Sequence, residues 1–126
     1  MIRLDFRDSR PIYEQIMENL RKLIVSGAIA AEEKLPSVRE LATKLAINPN
    51  TIQRAYRQLE NEGYIYTVPG KGSFAAPAGT LSRQKREELF RKLEEAAVEL
   101  MYAGVQPPDI LAHIEAVLQK EEKKSE

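Results

Sequence analysis

Lys34-Leu-Pro-Ser-Val-Arg-Glu-Leu-Ala-Thr-Lys-Leu-Ala-Ile-Asn-Pro-Asn-Thr-Ile-Gln-Arg-Ala-Tyr-Arg-Gln-Leu-Glu60 is the stretch whose reading decides the fold. Ser37 can accept a hydrogen bond from the backbone N–H three residues on, and Glu40 can reach back to the Ser37 N–H, which is a capping box. Val38, Leu41, Ala42 and Leu45 then recur at helical spacing. This first helix must end near Ile47, because Pro49 disfavours the α conformation at Asn48. The same Asn-Pro pair opens a second helix, with Asn48 as N-cap and Pro49 where its missing N–H costs nothing. At about 100° per residue, Ile52, Ala55, Tyr56 and Leu59 share one side of it, and Asn50, Gln53, Arg54, Arg57 and Asn61 share the other.

Gly63 fits the glycine position just past a helix end. Tyr64-Ile65-Tyr66-Thr67-Val68 is β-branched and aromatic, and Pro69-Gly70-Lys71-Gly72 turns the chain into Ser73-Phe74-Ala75, so a hairpin is expected. Two short helices joined by a tight turn and followed by a hairpin have the order of parts of a winged helix-turn-helix. The fold class expected is mainly α with a small β-hairpin wing. The outer face of the second helix carries Arg, which can bridge guanine O6 and N7, and Asn and Gln, which match the adenine edge; this is chemistry for a major groove. Arg54 is expected to make a bidentate base contact. Gly70, Lys71 and Gly72 let backbone and ammonium approach a phosphate or a minor groove.

Several spaced motifs carry a resemblance. Pro11-Ile-Tyr-Glu-Gln-Ile16, Leu35-Pro-Ser-Val-Arg-Glu-Leu-Ala42, Asn48-Pro-Asn-Thr51, Arg54-Ala-Tyr56, Leu59-Glu60 and Gly70-Lys-Gly-Ser-Phe74 resemble the DNA-binding domain of the GntR family of bacterial transcription regulators, over roughly residues 10 to 76. The short C-terminal part is most similar to the YtrA subfamily. The resemblance implies a homodimer that binds operator DNA, usually as a repressor. It also implies a phosphate or guanine contact for Arg39, and matches the family at Thr51 and at the wing glycine, Gly70. Better-known members carry arginines where this chain has Pro49 and Gln53, so their base preferences do not transfer. The turn after the first helix of the domain, usually Pro-Gly, is Ala31-Glu32 here, a departure expected to leave the fold intact. The DNA-contacting set expected is Ser37, Arg39, Asn48, Asn50, Thr51, Gln53, Arg54, Arg57, Gly70, Lys71 and Gly72.

Outward from this core, Pro11 starts a supporting helix to about Ser26, closed by Gly27, with Ile12, Ile16, Leu20, Leu23 and Ile24 as its stripe and Tyr13 and Met17 as core fillers. Residues 1 to 9, with Ile2, Leu4 and Phe6 alternating, form a short strand or an extended arm on the domain or on a partner subunit. Arg7 and Arg10 are candidates for the DNA backbone. Ala28 to Lys34 is a link anchored by Ile29. Residues 75 to 80 have linker composition, so two parts are expected: a DNA-binding domain at 1–76, and a linker with two helices at 77–126. The helices run from Ser82 to about Ala103 and from Pro107 to about Lys120, before a charged tail, Glu121 to Glu126. Two amphipathic helices have too little to bury their stripes against, so Leu89, Leu93, Ala97, Leu100, Met101, Ile110, Ile114 and Val117 are expected to pair with a second subunit. Folding back on the winged domain is the alternative.

Composition bounds the rest. The 126 residues carry 19 Lys and Arg against 19 Asp and Glu, yet residues 1–76 hold 11 basic against 9 acidic, leaving 8 against 10 beyond. Net charge is a poor guide where a local patch binds. There is no Cys, so no disulfide framework or thiolate metal site, and a cytoplasmic location is expected. Apolar runs are too short to span a membrane. The one histidine, His113, has no clustered ligands or triad partners, and Gly70-Lys-Gly72 lacks the spacing of a phosphate-binding loop. No enzyme, metal or cofactor is expected. A small-molecule effector at a dimer interface or hinge stays open, as does a protein-interaction module that binds no DNA. The polar, Arg-bearing helix face argues against the last, because such surfaces show aromatic or apolar anchors.

Overall fold

The computed structural model describes residues 2–124, with the elements α1 (Ile12–Val25), α2 (Val38–Leu45), α3 (Pro49–Glu62), β1 (Ile65–Val68), β2 (Gly72–Ala75), α4 (Arg83–Tyr102) and α5 (Pro107–Lys124). Two compact units follow one another, the first ending at Lys85 and the second beginning at Arg86. This is the mainly helical fold with a two-stranded wing that the sequence implies.

In the first unit the helix boundaries are set chemically. The Ser37 hydroxyl accepts from Glu40 N–H at 3.0 Å while Ser37 N–H donates to the Glu40 carboxylate at 3.3 Å, so the capping box is complete. Ala46 ends α2 in the left-handed conformation, and Asn48 caps α3 by accepting from Asn50 N–H at 2.8 Å. Burial of Ile52, Ala55, Tyr56 and Leu59 of α3 against Ile16, Met17 and Leu20 of α1, Leu41 and Ala42 of α2, and Leu35, Tyr64 and Ile65 forms the core. Each large side chain removed from water contributes about 1.5–3 kcal/mol. The Tyr56 hydroxyl donates to Pro36 O at 2.7 Å, so the phenol buried in this core is satisfied.

The hairpin pairs Ile65 with Ala75 through Val68 with Gly72. Tyr66 and Phe74 stack at 5.5 Å, and the Thr67 and Ser73 hydroxyls meet at 3.2 Å. The segment expected to be a plain link does more. Glu32 N–H donates to Ala75 O at 2.7 Å, Ala75 N–H to Glu33 O at 2.9 Å, and Leu35 N–H to Ser73 O at 2.9 Å, so residues 32–35 cover the outer edge of β2, which would otherwise present unpaired backbone groups.

The stretch with linker composition is likewise tied down. Ala76 N–H donates to Tyr64 O and Ser82 N–H to Glu62 O, and the Thr80 hydroxyl bonds Pro77 O at 2.7 Å and Gly63 O at 3.2 Å. Leu81 packs on the core. Lys85 is buried beside Glu62, at 3.6 Å, and the same carboxylate lies 3.3 Å from Arg21. The first unit therefore extends to Lys85, nine residues past Ala76. Gly63 has φ +93°, and a Cβ there would stand 2.3 Å from Thr80 O, so both the helix end and the returning chain require glycine.

The N-terminal residues form an extended arm on their own domain. Gln15, buried on α1, accepts from Asp5 N–H at 2.8 Å and donates to Asp5 O at 2.9 Å, while Asn19 donates to Arg3 O at 3.3 Å. Ile2 and Leu4 reach the core. Phe6 does not: a turn in which Asp8 N–H donates to Asp5 O breaks the alternation and leaves Phe6 73% exposed. Arg10 is held by Asp8 and Glu18, and it keeps both carboxyls below their ordinary range by hydrogen bonding.

In the second unit α5 runs four residues past Lys120, and of the expected tail Ser125 and Glu126 lie outside the described residues. Ile110 is buried; Ala97 and Ile114 are half-buried. Leu93, Met101 and Val117 are 48%, 55% and 60% exposed, and Leu89, Phe90, Val98, Leu100, Leu111 and Leu118 are exposed as well. The His113 ring Nδ1 lies 2.9 Å from the Asp109 carbonyl oxygen on the α5 surface, and the carbonyl can only be the acceptor there.

Two predictions follow from the first unit. Burial, with a smaller repulsion from Glu40, pushes the Tyr56 phenol up from 10.0 to about 12. The unfolded chain then loses this proton before the folded one does, so the contribution of this group to stability is constant below pH ~10 and falls between pH ~10 and ~12. In denaturant titrations across this range, Tyr56→Phe is less stable at neutral pH by about 1 kcal/mol for its lost hydrogen bond and shows a shallower alkaline decline. Glu32 has φ +69°, a conformation costly for a residue with a Cβ. Glu32→Gly, after the entropic cost of glycine, raises stability by about 0.5–1 kcal/mol, measured as a higher urea midpoint at unchanged slope.

Candidate nucleic-acid interface

Since Ile52, Ala55 and Leu59 are fully buried, the opposite side of α3 must face outward. Asn50, Gln53, Arg54 and Arg57 are all exposed there, and Thr51 is half-buried. Around the helix the order is Gln53, Arg57, Asn50, Arg54 and exposed Gln58, so Asn50 lies near the centre of the face, Arg57 and Arg54 flank it, and Gln53 and Gln58 form its margins. Neither the Gln53 nor the Arg57 side chain has a hydrogen-bonding partner among the described residues, so their side-chain donors and acceptors are open to solvent.

Asn48 starts α3, and with it one end of the face, and Ser37 starts α2. Ser37 and Asn48 are spent as caps on their own helices, so each positions backbone N–H groups and has less side-chain capacity left for a ligand. Free N–H groups at a helix start favour an anion. Arg39, in the first turn of α2, is exposed.

At the wing, Lys71 N–H donates to Val68 O at 2.9 Å, closing a turn with Pro69 and Gly70 at its centre. Gly70 has φ +78°, the glycine position of a type II turn. Lys71 stands exposed at the tip. Gly72 has φ +125°, and a Cβ there would lie 2.9 Å from Lys34 Cε. Lys34 is thus laid against the wing at Gly72, the residue after Lys71, as a second cation on a segment that the sequence alone reads as a link. Its signal was the Lys-Leu pair preceding Pro36, too short to announce a strand.

The second residue missed is Tyr13. It packs against the core from the first turn of α1, and the Arg54 guanidinium carbon sits 3.8 Å from the centre of its ring, well inside cation–π range. Of the expected set, then, Asn50, Gln53, Arg54 and Arg57 come together on α3, Lys71 projects from the wing, and Ser37 and Asn48 serve the helix ends.

A family model described as bacterial regulatory proteins, gntR family, matches residues 12–74, half of the chain. The chain belongs to the GntR family. It is 42% identical over 108 residues, 84% of its length and 83% of the relative's, to the HTH-type transcriptional repressor YtrA of Bacillus subtilis (strain 168). Among solved structures it is similar to a protein described as a transcriptional antiterminator from Listeria monocytogenes EGD-e, with TM-score 0.74, 35% identity, and 95% and 91% of the two chains covered. The DNA-binding domain of AraR in complex with operator ORR3 matches with TM-score 0.53 and 31% identity, over 59% of this chain and 89% of that one. The family model runs from the start of α1 into β2 and stops short of α4 and α5, whereas the likeness to YtrA, over 108 residues, also reaches into the second unit. Among the described residues no His, Cys, Asp and Glu group could hold a metal, and no helix is long and apolar enough to cross a membrane.

Proposed function

We propose that this GntR-family chain is a sequence-specific, DNA-binding transcription regulator of the bacterial cytoplasm that represses from a near-palindromic operator as a homodimer. The observation that carries the reading is the outer face of α3, where Asn50, Gln53 and Arg57 stand exposed between a capped helix start and a cationic wing. Likeness to an operator-bound AraR domain supports DNA as the partner, and likeness to the YtrA repressor supports the sign of regulation.

In this account α3 lies in a major groove, with Asn50 and Gln53 facing adenine edges and Arg57 a guanine. Thr51 and Arg39 contact the flanking backbone, and Gly70, Lys71 and Gly72 bring the wing onto phosphates or into the adjoining minor groove. Exposed Leu89, Leu93, Leu100, Met101 and Val117 on α4 and α5, with half-buried Ala97 and Ile114, form the surface that a second copy covers, while Ile110, expected there from the sequence, is already buried within its own chain. Solvent-facing apolar groups in such number are costly to leave unpaired. A two-fold dimer reads half-sites about one helical turn, ~34 Å, or a multiple apart.

The test is a salt series of binding to the DNA just upstream of the protein's own gene, with an unrelated duplex as control. Binding is at least about a thousandfold tighter to the first and falls steeply with salt; Lys71→Ala weakens both and reduces the salt slope by about one. Absence of binding even at low salt overturns the reading in favour of a protein-interaction module. Separately, the protein sediments as a dimer at micromolar concentration, and Leu93→Asp with Val117→Asp yields a folded monomer with weaker operator binding. A monomeric wild type contradicts the assembly.

A further inference from the structure

Two arginines of the first unit stack on tyrosines, and the difference between them is informative. Arg21 lies 5.3 Å from the Tyr64 ring and also pairs through one terminal nitrogen with the Glu62 carboxylate at 3.3 Å, though its buried Nε–H has no partner among the described residues; its charge is paired within the fold. Arg54 lies closer, 3.8 Å from the Tyr13 ring, and no carboxylate or carbonyl among the described residues accepts from it. A ring contact uses the flat face of the guanidinium, whereas hydrogen bonds are made in its plane. The stacked Arg54 therefore keeps its N–H donors available, in a side chain whose freedom is already reduced.

Position supplies the second half of the argument. Arg54 lies about 30° from the centre of the outer face of α3, as far as Arg57 does on the other side, but the ring that holds it belongs to the first turn of α1, the supporting helix. For a helix seated in a major groove, residues at the middle of the outward face point to the groove floor, and a group drawn toward a neighbouring helix points to its wall, which is lined by phosphates. The Tyr13 hydroxyl is engaged with the Glu14 carboxylate at 3.3 Å, so it is the ring that meets Arg54.

We propose that Tyr13 is a positioning residue that holds Arg54 against a backbone phosphate, so that Arg54 clamps DNA without reading a base. This rests on the DNA-binding reading above and replaces the base contact expected for Arg54 from the sequence. It assigns base discrimination on α3 to Asn50, Gln53 and Arg57, and gives α1 a part in DNA binding.

The experiment measures binding to an unrelated duplex across a salt series, and to the upstream fragment and point-substituted versions of it, for wild type, Arg54→Ala, Tyr13→Phe, Tyr13→Leu and the double variant Tyr13→Leu/Arg54→Ala. Arg54→Ala, an exposed change that spares the core, weakens binding to every duplex by a similar factor, about tenfold, and lowers the salt slope by about one. Tyr13→Phe binds as wild type does. Tyr13→Leu loses about two- to fivefold, and adding it to Arg54→Ala costs nothing further. Relaxed discrimination at a single base pair with an unchanged slope in Arg54→Ala overturns the phosphate role. A Tyr13→Leu loss that persists at full size beside Arg54→Ala overturns the positioning role. If wild type binds no duplex at low salt, the DNA-binding reading itself has failed; if it binds and the variants bind equally, this proposal alone has failed.

Discussion

Burial of one face of α3 is the constraint on which the rest of the molecule depends. Ile52, Ala55 and Leu59 have no exposed surface, and a rotation of the helix by a single residue, about 100°, would bring Gln53 into the core in place of Ile52. Such a rotation would cost several kcal/mol in lost apolar burial and an unpaired amide. The core thereby determines which side chains face outward. The side chains of Asn50, Gln53 and Arg57 make no hydrogen bond or ion pair among the described residues, which leaves them unencumbered by structural duties. Core packing and recognition are therefore separable by substitution, which makes the functional account open to experiment.

The two ends of α3 are held by different means. At its start the Asn48 cap and Pro49 define the first turn. At its end Gly63 allows the chain to reverse into β1 while the Thr80 carbonyl passes within a distance no Cβ would permit. Glu62 adds Arg21 from α1 and buried Lys85 to the same junction. Burial of a lysine is tolerated because a carboxylate accompanies it. The wing, the supporting helix and the segment leading into α4 thus all meet at the last turn of α3.

What was legible in the sequence was whatever depends on near neighbours. The capping box at Ser37, the Asn48-Pro49 start, the period of Ile52 to Leu59 and the glycine at position 63 each involve groups within four residues, and all are present in the fold. What escaped reading depends on distant partners. Residues 32–35 cover the edge of β2 because the hairpin needs a neighbour, not because their own pattern is that of a strand. Residues 75–80 have linker composition, but Ala76 N–H finds an acceptor at Tyr64 and Ser82 N–H, just beyond them, one at Glu62. Phe6 continued an alternation on paper that a turn at Asp5 interrupts. Of the candidate site, the α3 face and the wing tip were legible, whereas Tyr13 looked like a core filler until Arg54 was found against its ring.

The central claim, that α3 binds DNA through a face the core leaves free, is tested most directly by measuring the affinity of the triple variant Asn50→Ala/Gln53→Ala/Arg57→Ala for the upstream DNA beside its melting temperature. The account predicts loss of preference for that DNA over an unrelated duplex, in a protein that melts within a few degrees of wild type. Undiminished preference in the folded variant would contradict it and place recognition elsewhere on the molecule.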